Sequence, residues 1–499
     1  MNFFNRKLFY LVSFLEGASV MLAELIGAKL LSPFFGSSLY VWSSVMAITL
    51  GGLAAGYFVG GIISVKEKIL VNLWKIFSLS GLSLLLMPLV AKFVFPLSFV
   101  LPLLPGVILC TFFLLFFPVF LMGTISPLIV KILTIDANSS GKRAGEVYAV
   151  STVGGIASTF LTGFWLIPQF GLSKPLLFFG FLILVFSLLG LLKERNYFFC
   201  LAIVLLSFIS LYYSFYGSEK DPQLIYKSEG ILGRIEVLEI PVNSDQKGDS
   251  ERHLLINNII QTSLSLQSKK STIDYVQIFE KNLNACQKSP GKALILGLGG
   301  GAVANLLVEK GWEVTALEID ERIADVAKKY FFLSPKVKIN IDDARHGLQF
   351  TENGFDLVLF DMYSAEVAPS HVMSVEALNA IRQHCTENAV FVFNTYGYLD
   401  ERAGKGNLST LKTLSQLGYE SRICAHGQIE FEDYRGFLIF SSKVPFRKNK
   451  FFQEFNGVPN LASAEVIRDD YPLLEYQNAL AARKWRFAYL RNFISNRRW

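Results

Sequence analysis

Seven apolar stretches occupy the first 217 residues, and they constrain the fold of this chain more than any other feature. Each has roughly the twenty residues that a helix needs to cross the hydrocarbon core of a bilayer. Backbone polar groups in lipid must be satisfied within the segment, so such stretches fold as helices. They lie at about 8–30, 39–63, 71–93, 106–131, 145–168, 174–192 and 197–215. We therefore predict a multi-pass α-helical domain over residues 1–217, embedded in the lipid bilayer of the cell membrane.

Two carboxylates interrupt the first apolar stretch. A charged side chain inside a bilayer is costly unless it is paired, protonated or facing a polar cavity. Glu16 and Glu24 therefore indicate either a small-molecule pocket or, if Glu24 pairs with Lys29, a contact that only fixes helix packing. Both interpretations stay open at this point.

The lysines and arginines between the stretches predict the orientation. Most of them fall on the amino-terminal side, which the positive-inside rule places in the cytoplasm. Seven crossings would then carry the rest of the chain to the other side. We expect that part to be cytoplasmic nevertheless, with one apolar stretch re-entrant or interfacial.

From residue 218 onward the composition is that of an ordinary soluble domain. The net charge of +6 includes no basic run with interleaved aromatics, so nucleic acid is excluded as a partner. The five histidines have no ligand spacing, and the five cysteines are scattered, so neither a metal site nor a disulfide framework is predicted. The domain boundaries that we predict are 218–445 for a nucleotide-binding catalytic domain and 446–499 for a C-terminal tail.

A glycine loop organises this second half. A short apolar run at 292–296 predicts a strand, and 302–310 has helical composition. Glycines between them allow close approach of a ligand to the backbone, and the helix offers unpaired N–H groups. The loop glycines are Gly297, Gly299, Gly300 and Gly301. A second strand at 313–317 delivers Glu318 about twenty residues after the first glycine, where an acid reaches ribose hydroxyls. Dinucleotides and adenosyl sulfonium compounds both fit this pattern.

Strands and helices alternate beyond the loop, which predicts a doubly wound, mostly parallel α/β sheet. A small antiparallel sheet, over 224–264, is predicted before it. The strands of the main sheet are predicted at 292–296, 313–317, 337–341, 356–360, 389–394 and 437–441. Glu318, Asp343 and Asp361 follow successive strands, so we expect them at one edge of the sheet, where ligands bind.

These motifs together resemble the spermidine synthase family, the polyamine aminopropyltransferases, and more closely their membrane-fused relatives. The matching segments are LMGTISPL at 121–128, GEVYAVSTVGGIASTFLTGFWLIPQFG at 145–171, LLINNIIQTS at 254–263, ILGLGGGA at 295–302, LEID at 317–320, DDA at 342–344 and FDLVLFD at 355–361. The resemblance implies a Rossmann-like methyltransferase/spermidine synthase fold and a role in polyamine biosynthesis. It also implies a membrane-bound transferase that moves an aminopropyl group from an adenosyl sulfonium donor to an amine acceptor.

The resemblance also implies roles for single residues. Gln261 and Glu318 would contact the sugar and the methionine-derived part of the donor. Asp343 and Ala344 would contact its adenine, above the loop formed by Gly297, Gly299 and Gly301. Asp361 would accept a proton from the attacking amine, as a general base must, and Tyr275 would line the amine site.

Two acids of the soluble family members are absent here, since Gly300 and Ser364 occupy their places. These acids bind the propylamine tail and the diamine, so both decarboxylated S-adenosylmethionine and S-adenosylmethionine itself stay open as donors. Two alternative functions follow: an S-adenosylmethionine-dependent methyltransferase, and an amine transporter or sensor with a non-catalytic nucleotide fold. The sequence leaves open whether two copies form a homodimer.

Overall fold

A computed structural model gives the structure of the 499-residue chain. It describes residues 3–35, 39–95, 101, 103–216, 223–230, 232–242, 250–286, 290–362, 369–427, 435–446, 459–471 and 473–489. Two compact units are formed, one mainly by residues 1–221 and the other mainly by residues 235–497. The predicted boundary between residues 217 and 218 lies outside the described residues, and the domain limits stay predictions.

The first unit consists of helices. They are α1 (Phe3–Phe35), α2 (Leu39–Ser64), α3 (Ile69–Val94), α4 (Leu103–Thr111), α5 (Phe117–Gly123), α6 (Ile125–Leu133), α7 (Ser140–Leu161), α8 (Ile167–Phe170), α9 (Ser173–Lys193) and α10 (Tyr197–Tyr216). In the described part of the chain, six continuous helical segments are long and apolar enough to cross a membrane. The seventh predicted span corresponds to α10, whose described side chains end at Tyr213. Among the described residues six spans are supported by length and composition, and the seventh stays a prediction.

Prolines explain why two of the six segments change helix type. A proline has no N–H and its ring displaces the carbonyl four residues earlier. The π-helical turn Phe112–Phe116 lies just before Pro118, and the turn Thr162–Leu166 lies just before Pro168. Each turn absorbs this misfit without ending the helix.

Glycines set the spacing of the helices. A Cβ at Gly56 of α2 would overlap the carbonyl oxygen of Phe120, and one at Gly60 would lie 2.6 Å from the carbonyl oxygen of Thr124. Close approach of this kind is how helices associate in an apolar environment. The recurrence of glycine at every fourth position of α2 is therefore a packing feature.

The two acids of α1 have different surroundings. Glu16 is 1% exposed, and its Oε2 accepts hydrogen bonds from Ser151 Oγ at 2.8 Å and Ser126 Oγ at 3.3 Å. Glu24 is half-buried, and no ion pair of the described residues joins it to Lys29. The pairing considered for Glu24 is thus not formed in this structure.

The second unit begins with an antiparallel sheet. Its strands, which neighbour one another in chain order, are β1 (Leu224–Gly230), β2 (Gly233–Pro241), β3 (Ser250–Ile256) and β4 (Ile259–Ser265). Alternating apolar residues on one face of β2 and β3, such as Val237 and Leu254, pack against Ile323 and Val326. The small antiparallel sheet predicted over 224–264 is therefore present.

The main sheet has seven strands. They are β5 (Lys292–Leu296), β6 (Glu313–Glu318), β7 (Lys338–Ile341), β8 (Phe355–Phe360), β9 (Cys385–Gly397), β10 (Glu420–His426) and β11 (Arg435–Ser442). Their order is β10-β11-β9-β8-β5-β6-β7, with β9 to β7 parallel and the pairings β9–β11 and β11–β10 antiparallel. The predicted fold class is confirmed. Strand β10 was not predicted, because ESRICAH lacks the long apolar run of the other strands.

Helices cover both faces of this sheet. They are α11 (Asp274–Cys286), α12 (Ala302–Glu309), α13 (Glu321–Tyr330), α14 (Ser370–Met373), α15 (Val375–Gln383), α16 (Lys405–Gln416) and α17 (Leu474–Tyr489). Since β5 pairs with β6 on one side and with β8 on the other, the order of strands reverses at β5. A crevice opens at such a point beyond the carboxyl ends of the strands. The glycine loop and Asp361 both lie there.

Part of the predicted C-terminal tail packs against the main sheet. Ile467 and Leu474 are each 1% exposed and belong to its core. The carbonyl oxygen of Ile467 accepts a hydrogen bond from the Val375 N–H at 2.9 Å, and Asp469 forms an ion pair with Arg345 at 2.6 Å. The segment 459–489 therefore contributes contacts to the same unit as the sheet.

The packing of α2 gives a first prediction. Gly56→Ala should lower the stability of the full-length protein by about 1–3 kcal/mol, because the new methyl group overlaps the backbone of the facing helix. Gly61→Ala is the matched control, since a Cβ at Gly61 of the same helix would meet nothing within 4 Å. Thermal unfolding in detergent measures both; equal melting temperatures for the two variants would contradict the packing role.

Candidate active site

The glycine loop follows β5 and is shaped by left-handed backbone angles. Gly297 has a φ of 89° and Gly301 a φ of 77°, values that side chains with a Cβ rarely adopt. A Cβ at Gly297 would overlap the carbonyl oxygen of Asp361, and one at Gly301 would overlap the side chain of Leu333. Gly299, with a φ of 53°, completes the turn into α12. The loop therefore requires glycine at these positions and lies directly against the end of β8.

A residue larger than glycine does not fit at position 300, because Thr262 of the antiparallel sheet packs against Gly300. Its N–H donates a hydrogen bond to Thr262 Oγ1 at 2.8 Å. A Cβ at this position would lie 2.7 Å from Thr262 Cγ2 and 3.0 Å from Phe331 Cδ1. An acidic side chain, which the sequence does not have at position 300, would therefore also lack the space there while Thr262 is in place.

Gln261 lies at an irregularity of β4. Leu254 of β3 pairs with Thr262, whereas the next residue, Leu255, pairs with Ile260, so Gln261 is an extra residue between the two pairs. A bulge of this kind turns the side chain away from regular alternation. Gln261 is half-buried and immediately precedes the residue that holds the loop.

Glu318 ends β6 and joins two backbone segments. Its Oε2 accepts the N–H of Leu298 at 2.9 Å, and its Oε1 accepts the N–H of Asp320 at 2.9 Å. Burial raises the pKa of this carboxyl above its ordinary value, against the effect of these hydrogen bonds. Each carboxylate oxygen retains a second lone pair, so Glu318 can still accept hydrogen bonds from ligand hydroxyls.

Asp343 and Ala344 follow β7, at the same edge of the sheet. Asp343 Oδ1 accepts the N–H groups of Arg345 and His346, and its Oδ2 lies 3.0 Å from His371 Nε2. Burial alone would raise the pKa of Asp343, but the hydrogen bonds from His371 and from the two backbone N–H groups outweigh it, so the pKa is lowered. Ala344 is 8% exposed and packs in the core of the sheet.

Asp361 follows β8 and is held from two sides. Its Oδ2 accepts a hydrogen bond from the Tyr275 hydroxyl at 3.0 Å, and its Oδ1 accepts one from Asn394 Nδ2 at 2.9 Å. Its own N–H donates to the carbonyl oxygen of Leu296 at 2.9 Å, the last residue before the glycine loop. Burial raises the pKa of Asp361, and the donors Asn394 and Tyr275 oppose this rise. The two residues predicted as catalytic are therefore in direct contact.

Asn394 and His426 extend this cluster and were missed in the sequence. Asn394 is the last residue of the predicted strand 389–394. A polar residue near a strand end is the signal by which Asp361 was predicted, and the same signal could have identified Asn394. His426 ends β10, which was not predicted, and no sequence pattern marked this histidine. Ser364, which replaces a second acid of the family, lies outside the described residues.

Comparisons with known proteins agree with this geometry. Residues 279–402 match the family described as the spermine/spermidine synthase domain. This segment of the second unit is thus similar to spermine/spermidine synthase domains. The polyamine aminopropyltransferase of Vibrio vulnificus is 31% identical over 137 residues, 26% of this chain and 46% of that protein. The probable polyamine aminopropyl transferase of Bifidobacterium longum is 26% identical over 178 residues, 35% of this chain and 38% of that protein.

The alignment with this chain thus spans less than half the length of these two relatives. A solved structure of a probable spermidine synthase from Corynebacterium glutamicum is 17% identical, covering 49% of this chain and 94% of that chain, with a TM-score of 0.40. The synthase domain match begins within α11 and includes the glycine loop, Glu318, Asp343, Asp361 and Asn394.

The synthase domain gives a second prediction. Glu318→Ala should weaken binding of an adenosyl sulfonium ligand by about tenfold or more, because a charged acceptor of this kind contributes on the order of 1.5–3 kcal/mol. Glu313→Ala is the control on the same strand, since Glu313 pairs with Lys338 at the surface. Calorimetry on the full chain measures both; undiminished affinity in Glu318→Ala would remove Glu318 from the binding site.

Proposed function

We propose that this protein is a transferase that moves an aminopropyl group from an adenosyl sulfonium donor to an amine acceptor. The observation that carries the proposal is the carboxylate of Asp361, desolvated, held by Tyr275 and Asn394, and adjacent to the glycine loop. The names of the two curated relatives, both aminopropyl transferases, support this group over a methyl group.

Donor binding uses the strand ends on the β6 side of the crevice. Glu318 accepts hydrogen bonds from the ribose hydroxyls, and its buried position makes it a strong acceptor once it is ionised. Asp343 and Ala344 form the adenine side of the site. Gly297, Gly299 and Gly301 let the donor approach the backbone closely, which places its sulfonium near the end of β8.

The transfer itself is a displacement at carbon. The acceptor nitrogen attacks the carbon of the aminopropyl group that is bonded to sulfur, the carbon–sulfur bond breaks, and its electron pair stays on sulfur. The sulfonium thereby becomes a neutral thioether nucleoside, methylthioadenosine. The new ammonium loses its proton to Asp361, the role of a general base. An amine attacks only when deprotonated, so a desolvated carboxylate beside it promotes the reaction.

The acceptor lies on the β9 side of Asp361. Tyr275 positions the carboxylate and presents its ring to the acceptor, and Tyr396 lies on the neighbouring strand. Because Thr262 excludes an acid at Gly300, the loop provides no carboxylate for the amino group of the donor's tail. We infer that this amino group, if the donor is decarboxylated S-adenosylmethionine, is bound elsewhere or remains in water. S-adenosylmethionine itself is the alternative donor, and the same displacement would then transfer a 3-amino-3-carboxypropyl group.

The helical unit anchors the enzyme in a membrane under this proposal. Six crossings return the chain to the side on which it began, whereas seven would not. With α10 as the apolar helix that does not cross, the lysine-rich and arginine-rich ends and the synthase domain share the cytoplasmic side. This assignment removes the conflict between the charge pattern and a cytoplasmic donor.

The role of Asp361 gives a third prediction. Asp361→Asn keeps the shape of the side chain but cannot take a proton, so kcat should fall by about 10²–10⁴-fold while donor affinity is retained. The measurement is turnover of decarboxylated S-adenosylmethionine with a panel of diamines, beside calorimetric donor binding. Asp325→Asn, an exposed aspartate of α13, is the control. Wild-type turnover by Asp361→Asn would contradict the mechanism.

The pH dependence follows from the same carboxyl. Since burial raises the pKa of Asp361, its base form is lost as pH falls through a value above that of an ordinary aspartate. The acid limb of kcat/KM should therefore lie above about pH 4 and should not move when the acceptor amine is changed. A limb that follows the acceptor's own pKa would assign it to the amine.

Membrane topology gives a fourth prediction. A protease-sensitive tag fused after Trp499 should survive protease added to intact cells and should be cleaved in inverted membrane vesicles. A tag between α1 and α2 should show the opposite pattern and is the internal control. Cleavage of the C-terminal tag in intact cells would mean that α10 crosses the membrane.

A further inference from the structure

Four side chains form a continuous polar chain that ends at Asp361. Asn394 Nδ2 donates to Asp361 Oδ1 at 2.9 Å, and Asn394 Oδ1 lies 3.2 Å from His426 Nε2. On the far side of the imidazole, His426 Nδ1 lies 3.8 Å from Asp274 Oδ1. Asp274 also accepts the N–H of Gly427, which follows β10, at 2.6 Å. The chain connects α11, β10, β9 and the end of β8.

The directions of these hydrogen bonds follow from chemistry. An ionised carboxylate only accepts, so the amide nitrogen of Asn394 must face Asp361 and its oxygen must face His426. The amide oxygen only accepts in turn, so His426 Nε2 must carry a proton. Asp274 faces the other ring nitrogen, and the contact with His426 is the main cause that lowers the pKa of Asp274. A rotated Asn394 would place an amide N–H against His426 Nε2–H.

The backbone is shaped to hold the imidazole in this place. His426 pairs with Gly436 across β10 and β11, and a Cβ at Gly436 would overlap the ring. The ring is also flanked by Tyr275 and Tyr396, with centroids at 5.8 and 5.4 Å. His426 is 4% exposed, so its polar atoms depend on these partners and not on bulk water. Among the described residues, the titratable groups around it are Asp274, Tyr275, Tyr396 and Asp361.

We propose that His426 is a positioning residue for the transfer reaction. It fixes the orientation of Asn394, and Asn394 in turn holds one oxygen of Asp361, so that the other lone pairs of the carboxylate point to the acceptor nitrogen. His426 touches neither donor nor acceptor in this role. The inference rests on the proposed function for its kinetic consequence, but the assignment of the proton to Nε2 follows from the hydrogen-bond geometry and does not depend on that function.

Kinetics on the full-length protein test the consequence. His426→Ala should lower kcat by about tenfold, the effect of losing one buried hydrogen bond, and should leave the KM for the donor within about twofold. His426→Gln, which can still donate an amide N–H to Asn394, should recover most of the loss. Gly436→Ala should reproduce the defect without changing a polar group, because its methyl group displaces the imidazole.

The control for these variants is His384→Ala, since His384 lies at the end of α15, away from Asp361. Thermal unfolding of each variant separates misfolding from a kinetic effect. Wild-type kcat in a folded His426→Ala protein would overturn the proposal, as would an equal fall in kcat for His426→Ala and His426→Gln.

A spectroscopic experiment tests the hydrogen bond between Asn394 and His426 without an enzyme assay. The chain has five histidines, so selective ¹⁵N labelling of histidine in the detergent-solubilised protein gives few signals, and the one missing in His426→Gln is that of His426. Its neutral ring should carry the proton on Nε2, because Asn394 Oδ1 accepts a hydrogen bond from that atom. A neutral ring protonated at Nδ1 would overturn the proposal. If the wild type transfers no aminopropyl group but Nε2 is protonated, the proposed function fails while the hydrogen-bond chain stands.

Discussion

The parallel pairing of β8 with β5 holds Asp361 against the glycine loop, and the site depends on this pairing. The register places Leu296 beside Phe360, so the residues that follow both strands emerge together. The N–H of Asp361 donates to the carbonyl oxygen of Leu296 and so continues the pairing. Gly297 has no side chain, and this leaves room for the carbonyl group of Asp361. The Asp361 carboxylate and the glycine loop can share one edge only because no Cβ separates them. The proposed chemistry therefore depends on strand order as much as on the acid itself.

Two desolvated carboxyls, Glu318 and Asp361, make the stability of the fold depend on pH. Burial raises the pKa of both Glu318 and Asp361. An acid whose pKa is raised on folding binds more protons in the folded than in the unfolded state. Each therefore makes the unliganded fold less stable as pH rises through the interval between its unfolded and folded pKa values. Under the proposed function, the positive sulfonium of the donor would offset this cost, because its charge is opposite to that of the two carboxylates.

Much of the fold could be predicted from sequence because its signals are local. Apolar length predicted the helices of the first unit, and the alternation of strands and helices predicted the parallel core and the strand-end acids Glu318, Asp343 and Asp361. Apolar composition alone does not fix the number of crossings, since α10 is as apolar as the helices of the six spans but need not cross the bilayer. Strand β10 and His426 depend on pairing with β11, which is antiparallel and set by contacts distant in sequence. The same holds for Thr262, which acts on Gly300 across 38 positions.

Identification of the nucleoside product tests the central claim most directly. The full-length protein is incubated with decarboxylated S-adenosylmethionine or S-adenosylmethionine and a panel of amines, and the nucleoside is identified by mass spectrometry. Methylthioadenosine, formed only when an amine is present and not by Asp361→Asn, is the predicted result, because the carbon–sulfur bond to the aminopropyl chain is the one that breaks. S-adenosylhomocysteine as the product from S-adenosylmethionine would show methyl transfer and contradict the account.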